Sequence, residues 1–294
     1  MRIIFVRHGE PDYANDCLTP EGHKQAAAAA ERLSVEGVRE IYAAPSGRAQ
    51  QTAACTARRL GLEVATLSFM GEISWGGPGI PADGRPWTLG YRMLQEGFDF
   101  NAVDWRRHPY FAENTVTRYY STVTDKFDEF LREKGYRHEG RRFLCRGGGD
   151  ETLALFSHGG SAGFLMAHLL ALPYPYVASV LPYDFASITT ISFPVTEGEW
   201  VFPRVELFND CGHIRRANGR DDMKYQVIQT VHYGRFHIRR DIDYLTEAGQ
   251  AKTYGSIGRK PNIKALEELQ NRKPYSAIPI LTDESDQRIL VGRE

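Results

Sequence analysis

Two short apolar runs, far apart in the chain, each stop at a histidine followed by glycine. Ile3-Ile4-Phe5-Val6 breaks into Arg7-His8-Gly9-Glu10, and Thr152-Leu153-Ala154-Leu155-Phe156 breaks into Ser157-His158-Gly159-Gly160. Unbroken apolar runs of this length suit strands buried on both faces, as in a parallel sheet. A cation, an imidazole and a flexible glycine add nothing to the stability of such a strand. They stand instead where open α/β sheets bind ligands, beyond the carboxyl ends of the strands. Side by side on one sheet edge, the two junctions would make a single site; two satisfied core histidines are the plainer alternative.

The alternation that follows agrees with such a sheet. After a polar loop, Pro11 to Leu18, Thr19 reads as an N-cap, with Pro20 in the first helical position and Glu21 complementing the dipole. The alanine-rich stretch from Gln25 to Leu33 continues the helix, and Gly37 lies just past its end. Glu40 to Ala44 is a second short strand and Pro45 breaks it. Ser46 is placed to cap a second helix that runs to about Leu60 and stops at Gly61. Leu62 to Leu67 suits a third strand. Strand, helix, strand, helix, strand predicts an α/β fold, a three-layer αβα sandwich around a mostly parallel central sheet.

Arg48 falls in the first turn of the second helix, where a cation opposes the macrodipole. A bound anion would reverse that sign, because the helix end and the guanidinium would attract it together. Arg7, Arg48, His8 and His158 then describe one pocket with two guanidinium forks and two imidazoles. Such a pocket suits a tetrahedral oxyanion, since arginine forks match phosphate oxygens in pairs. Phosphoryl transfer needs mainly charge neutralisation and alignment. A neutral histidine is a competent nucleophile when its other ring nitrogen donates to a fixed acceptor.

From Gly71 the texture changes. Glu72-Ile73-Ser74-Trp75-Gly76-Gly77 leads into a Gly/Pro-rich loop, Pro78 to Pro86, and then an aromatic segment that includes Trp87, Trp105 and Phe111. Val116, Tyr120, Val123, Phe127 and Phe130 recur at helical spacing, so Glu113 to Lys134 predicts an amphipathic helix ending at Gly135. Residues from about 76 to 149 therefore read as an insertion that caps the sheet edge, with the aromatics as the cap's own core. Arg146-Gly147-Gly148-Gly149-Asp150 is a turn and not a phosphate loop, because a strand follows it and no Gly-Lys-Ser/Thr does.

Ser161 to Leu172 predicts a helix whose first N–H groups lie near His158, ended by Pro173 and Pro175. Ser187 to Phe193 and Trp200 to Phe208 read as two strands joined through Glu197-Gly198. Asn209-Asp210-Cys211-Gly212-His213 closes a first domain, residues 1–213. Residues 214–294 form a C-terminal extension, basic in its first half and proline-punctuated from about Lys260, with one short helix from Ile263 to Gln270. Packing on the body, exchange with another subunit in a homo-oligomer and partial mobility are all open to it. A solvated basic face is the preferred reading of its arginines.

With 294 residues and a formal net charge of −1, the chain gives no reason to expect nucleic acid or a charged membrane as its partner. The opening apolar run is too short for a signal peptide or a membrane span. Cys17, Cys55, Cys145 and Cys211 are scattered and form no C-x-x-C, which predicts neither a zinc site nor a disulfide framework. Reduced cysteines suit a cytoplasmic setting.

The ordered set Arg7-His8-Gly9-Glu10, Leu18-Thr19-Pro20-Glu21-Gly22, Ser46-Gly47-Arg48-Ala49-Gln50-Gln51-Thr52-Ala53, Gly71-Glu72 before Trp75-Gly76-Gly77, and Ser157-His158-Gly159-Gly160 resembles the histidine phosphatase superfamily, the phosphoglycerate-mutase-like fold. Asn209-Asp210 before His213 is similar to a segment of its phosphatase branch. The resemblance covers about residues 1–213, with the insertion poorly matched.

It implies that His8 is the nucleophile, that the Gly9 carbonyl holds its other nitrogen, and that Arg7, Arg48 and His158 bind the phosphoryl oxygens. It implies that Glu72 donates the proton to the leaving group and then serves as base for water. Arg7, Gly9, Arg48, His158 and Gly159 would surround a small phosphorylated substrate, with no metal and no other cofactor required.

Pro11 and Ala14 stand where the mutase branch commonly has a serine and an asparagine, which argues for water as acceptor and hence a phosphomonoesterase. Trp105-Arg106-Arg107 is similar to a mutase carboxylate contact, but its flanks do not match. A mutase and a catalytically silent phosphate-binding module are the alternatives. The silent module has no need of all five groups.

Overall fold

The computed structural model describes residues 1–81 and 84–217, with side chains as far as 214, and beyond these the backbone of five strands. The first strand, β1 (Arg2–Arg7), is followed by a two-residue pair, β2 (Pro11–Asp12) and β3 (Cys17–Leu18). Helix α1 (Pro20–Leu33) starts at Thr19, whose hydroxyl accepts the Gly22 N–H, as expected of an N-cap. Strand β4 (Val38–Ala43), helix α2 (Gly47–Leu60) and strand β5 (Val64–Thr66) complete the alternation. Gly61, at φ 68°, closes α2 in the left-handed conformation that glycine adopts freely.

The insertion contains α3 (Pro86–Gln95), α4 (Pro109–Ala112), α5 (Thr115–Glu133) and the strands β6 (Tyr136–Glu139) and β7 (Arg142–Cys145). The amphipathic helix begins at Thr115 rather than Glu113, because Asn114 is its cap. Buried Asn114 also accepts from the Gly76 N–H at 3.0 Å and donates to the Tyr110 carbonyl at 3.0 Å, tying the glycine-rich loop to the helix.

Strand β8 (Thr152–Ser157), helix α6 (Gly159–Leu169), helix α7 (Tyr174–Val180), strand β9 (Ile188–Ser192), strands β10 (Trp200–Val201) and β11 (Arg204–Asp210) and helix α8 (Gly212–Ala217) follow. Two expectations are corrected here. Pro173 and Pro175 do not end a helix that runs to Leu172; α6 stops at Leu169, and the prolines open α7, where a missing N–H costs nothing. Trp200 to Phe208 is not one strand. Pro203 interrupts it, so that β10 pairs with β7 in a small sheet, while β11 pairs with β9.

The main sheet has the order β11-β9-β1-β8-β4-β5. β1, β8, β4 and β5 are parallel and β9 is antiparallel to both its neighbours. Alternation along β1 divides the core in two. Ile3 and Phe5 join a cluster with α5 and α6, including Phe127 and Phe164. Ile4 and Val6 join one with α1 and α2, including Leu33 and Ala53. All four β1 side chains are completely buried, at roughly 1.5–3 kcal/mol each. The sheet is thereby clad on both faces, the three-layer arrangement the sequence predicts.

The chain divides into two compact units, residues 1–217 and 218–294. In the second, β12 (Tyr225–Tyr233), β13 (His237–Leu245) and β14 (Ala251–Arg259) form an antiparallel sheet, and β15 (Ile280–Asp283) pairs with β16 (Arg288–Val291). The sequence reading gives this region no strands. The helix expected at 263–270 lies outside the described residues. No helix among the described residues is long and apolar enough to cross a membrane. Cys17, Cys55 and Cys145 are free.

Candidate active site

Register brings the two histidines together. β1 and β8 pair with Arg7 opposite Ser157, so the chain leaves the sheet at His8 and His158 side by side. Their rings meet edge to face, with centroids 5.2 Å apart. His8 is fully buried, and its Nδ1 lies 2.7 Å from the Gly9 carbonyl oxygen. Only a protonated Nδ1 can donate there, which leaves the lone pair on Nε2, a buried atom with no hydrogen-bond partner. Burial pushes the His8 pKa down to about 4, the Arg7 and Arg48 charges adding to the effect and the Gly9 bond opposing it. The ring is a neutral base at any ordinary pH.

Arg48 comes from the first turn of α2, as the sequence suggests. Its Nη2 donates to His158 Nδ1 at 3.1 Å, and its Nη1 pairs with Asp16. Ser46 stands at the cap position, but its hydroxyl makes no capping bond and lies 3.2 Å from His158 Nε2. Asp16 takes over the capping role by accepting the Gly47 N–H at 2.7 Å. Burial, then the charge of Arg48, pushes His158 down to about 3. Arg7 donates to the Tyr183 carbonyl and lies 4.1 Å over the Phe185 ring. Burial lowers its pKa as well.

Glu72 completes the group. One carboxylate oxygen accepts the Ile73 N–H at 2.9 Å, and the other lies 3.7 Å from His158. Its side chain is one-third exposed, on the cavity side. The protein packed around the rest raises its pKa, against the pull of the Ile73 bond and the arginines. Gly160 leaves room for it: a Cβ there would lie 2.6 Å from the Glu72 oxygen. Arg7, Glu72, Gly159 and Gly160 open onto a cavity of about 530 Å³ whose outer wall is apolar, with Trp75, Trp87, Met166 and Leu181. Trp75 and Trp87 thus belong to the cavity, whereas Trp105 and Phe111 are cap core. His8, Glu72 and His158 also offer three donor atoms within 4.8 Å of one another, but Arg7 and Arg48 make this a poor place for a cation and a good one for an oxyanion.

The structure brings together every residue of the expected site. It adds Asp16, Tyr183 and Phe185, which sequence reasoning missed, and gives Ser46 and Asn209, singled out there only as a helix cap and by resemblance, a place at the site. Asn209 is flagged by its resemblance, but not its work. Its Oδ1 accepts the Asp184 N–H and its Nδ2 donates to the Asp184 carboxylate, both at 2.8 Å. His213 holds the Ala186 carbonyl at 2.9 Å, and the Ala186 N–H donates to the His8 carbonyl at 3.1 Å. The loop at 183–186 is thus fastened over Arg7 and His8. Asp16, Ala186 and Asn209 all have left-handed φ, at 47°, 52° and 50°, a conformation that costs of order 1–2 kcal/mol for a residue with a side chain. Asp and Asn adopt it readily, so the strain falls on Ala186, as it does on Ala171 after α6.

A buried imidazole with a fixed tautomer, two guanidinium groups and a second imidazole on this sheet form a pocket suited to a tetrahedral oxyanion. The pattern of the histidine phosphatase superfamily (branch 1) matches residues 3–207, and the chain belongs to that superfamily. A curated relative, the probable phosphoglycerate mutase GpmB of Yersinia enterocolitica, is 32% identical over 228 residues, which cover 73% of this chain and 95% of the relative. Among solved structures, the phosphoserine phosphatase of Entamoeba histolytica in complex with 3-phosphoglyceric acid superposes with a TM-score of 0.51 at 22% identity, covering 72% of this chain and 98% of that one. A protein described as mycobacterial hydrolase 1 gives 0.50 at 24% identity, covering 71% and 98%. At those identities the structures establish the shared fold.

Proposed function

We propose that the protein is a phosphomonoesterase that acts on a small phosphorylated metabolite through a phosphohistidine on His8, with water as acceptor and no metal ion in the reaction. The observation that carries this reading is the His8 ring, with Nδ1 tied to Gly9 and the Nε2 lone pair unpartnered. In the first step Nε2 attacks phosphorus and the P–O bond to the leaving group breaks. Arg7 and Arg48 neutralise the equatorial oxygens, neutral His158 donates a hydrogen bond to them, and protonated Glu72 gives its proton to the departing alkoxide. In the second step Glu72, now ionised, takes a proton from water as it attacks the phosphohistidine, and inorganic phosphate leaves. The raised pKa of Glu72 suits the first role.

The mutase reading draws on the relative named as a probable mutase. Against it, Arg106 pairs with Asp104 at 2.9 Å and Trp105 packs on Phe111 and Tyr120, both bordering a different cavity from the one Glu72 opens on. Incubation with p-nitrophenyl phosphate, and separately with 3-phosphoglycerate plus a bisphosphoglycerate primer, distinguishes the two. Phosphate release that vanishes in His8→Ala, with acid-labile phosphate trapped on the wild-type protein, is the expected result. Isomerisation without release would favour the mutase. Turnover without label on His8 would end both.

A further inference from the structure

A second group of imidazoles lies on the far side of the cap helix. Asp128 belongs to α5, His138 to β6 and His168 to the last turn of α6. His168 Nε2 is 2.8 Å from Asp128 Oδ1, His138 Nδ1 is 3.0 Å from the same oxygen, and the two nitrogens are 3.1 Å apart. A hydrogen bond needs one donor and one acceptor. Around a triangle of three atoms, each either carrying a proton or not, no assignment satisfies all three edges. The difficulty sharpens at His138. Its Nε2 lies 2.9 Å from the Gly140 carbonyl, to which it can only donate, so a neutral His138 turns a bare lone pair towards Asp128.

We propose that Asp128, His138 and His168 form a binding site for a divalent first-row transition metal ion, of which zinc is the reference case. One cation accepts all three lone pairs at once. Donors about 2.1 Å from a metal lie about 3.0 Å apart at octahedral angles and about 3.4 Å apart at tetrahedral ones; the 2.8 to 3.1 Å found here meets the first, and small side-chain rotations would open it to the second. The donor set, two imidazoles and a carboxylate, is one such ions take, with the remaining positions open. These positions face a cavity of about 790 Å³ that Asp104, Tyr120 and Asp125 also border. The outer contacts are of the kind metal ligands require: a backbone carbonyl orients the His138 ring, and Phe143 stacks on it at 4.3 Å. The bound ion joins α5, β6 and the carboxyl end of α6. His158 caps the other end of that helix, roughly 15 Å away at 1.5 Å per residue. The ion fastens the cap to the body and takes no part in the phosphate chemistry, so the site does not depend on the function proposed above.

The test uses the full-length, tag-free protein stripped with a chelator, titrated with zinc by calorimetry and with cobalt by visible absorption. Because His8, Glu72 and His158 also offer three donors, the double variant His8→Ala/Glu72→Gln serves as a control. Wild type and control should bind one equivalent of zinc with micromolar or tighter affinity, show cobalt d–d bands, and melt several degrees higher with zinc. Asp128→Asn and His168→Gln should bind at least 100-fold more weakly and lose the melting shift. Their circular dichroism spectra and metal-free melting temperatures should match those of the wild type, which shows that they fold. Zinc binding weaker than about 100 μM in the wild type, binding retained by both substitutions, or binding lost only in the control would overturn the proposal.

Discussion

Arg48 donates to Nδ1 of His158 across 3.1 Å, and this single contact fixes the proton of that ring on Nε2, facing the Ser46 hydroxyl at 3.2 Å. The guanidinium therefore does two things at once, supplying charge to the oxyanion pocket and selecting the tautomer of its neighbour. Arg48→Lys keeps the charge and loses the fork. It should lower kcat/KM for p-nitrophenyl phosphate by about 100- to 1,000-fold, the cost of one oxyanion donor, with little change in melting temperature. A loss under fivefold would show that charge alone suffices.

The proposed reaction requires an unprotonated His8 and a protonated Glu72. Burial holds the first at about 4 and lifts the second above its usual range. The profile of kcat/KM should therefore rise as pH passes about 4 and fall as Glu72 ionises, above the usual carboxylate range. Glu72→Gln should lower kcat by about 100-fold or more and abolish the falling limb. A limb that survives the substitution would belong to the substrate phosphate, which ionises near ~6, and would remove Glu72 from its role.

The same buried ring makes the fold sensitive to acid. Folded His8 takes a proton near pH 4 and an unfolded histidine near 6.5. Between those values the unfolded chain binds more protons, so stability falls as pH drops from 6.5 to about 4. The loss is on the order of 3 kcal/mol at ~1.4 kcal/mol per pH unit. Denaturant melts of His8→Ala across this window should give a flatter dependence than the wild type; parallel curves would mean the ring titrates normally.

Asn209 is expected to matter to chemistry it never touches. Asn209→Ala removes two hydrogen bonds to Asp184 and places alanine at a φ of 50°. Stability should fall by about 2–3 kcal/mol, and kcat/KM should drop by roughly tenfold as the 183–186 loop loosens over Arg7. Asn209→Gly relieves only the backbone, so it should recover part of the stability and none of the rate. Equal recovery of both would reduce the residue to a conformational one.

Substrate choice should follow the wall of the cavity. Trp75, Trp87, Met166 and Leu181 offer apolar surface and little to a ring of sugar hydroxyls. Aryl and alkyl monoesters should therefore exceed hexose phosphates in kcat/KM by about tenfold or more, and Trp87→Ala should remove much of that margin at ~1.5 kcal/mol per aromatic contact. A panel that ranks hexose phosphates first would refute this.

Much of the fold is legible in the sequence because β1, β8 and the two helices α1 and α2 carry their own local signals. These are apolar runs of strand length, a Thr19-Pro20 helix start and a glycine stop. His8, His158, Arg7 and Arg48 are legible for a related reason, each being chemically out of place at a strand or helix end. What escaped is what depends on contacts across the chain. Asp16 caps α2 from an unrelated loop, Tyr183 offers only a carbonyl, and Asn209 acts through the backbone of Asp184. The Asp128, His138 and His168 cluster escaped as well, since its members come from three elements and have no shared spacing.

The first turn of α1 lies main chain against main chain with the loop after β1: a Cβ on Gly22 would collide with the Glu10 carbonyl, and one on Gly9 with the Gly22 carbonyl. A peripheral helix is in this way keyed directly to the residue beside the reacting nitrogen. Side-chain drift along its outer face is free to accumulate, whereas one methyl group at either glycine would pry His8 out of alignment. The tolerance of this protein to change is therefore set here by the absence of atoms rather than by their chemistry.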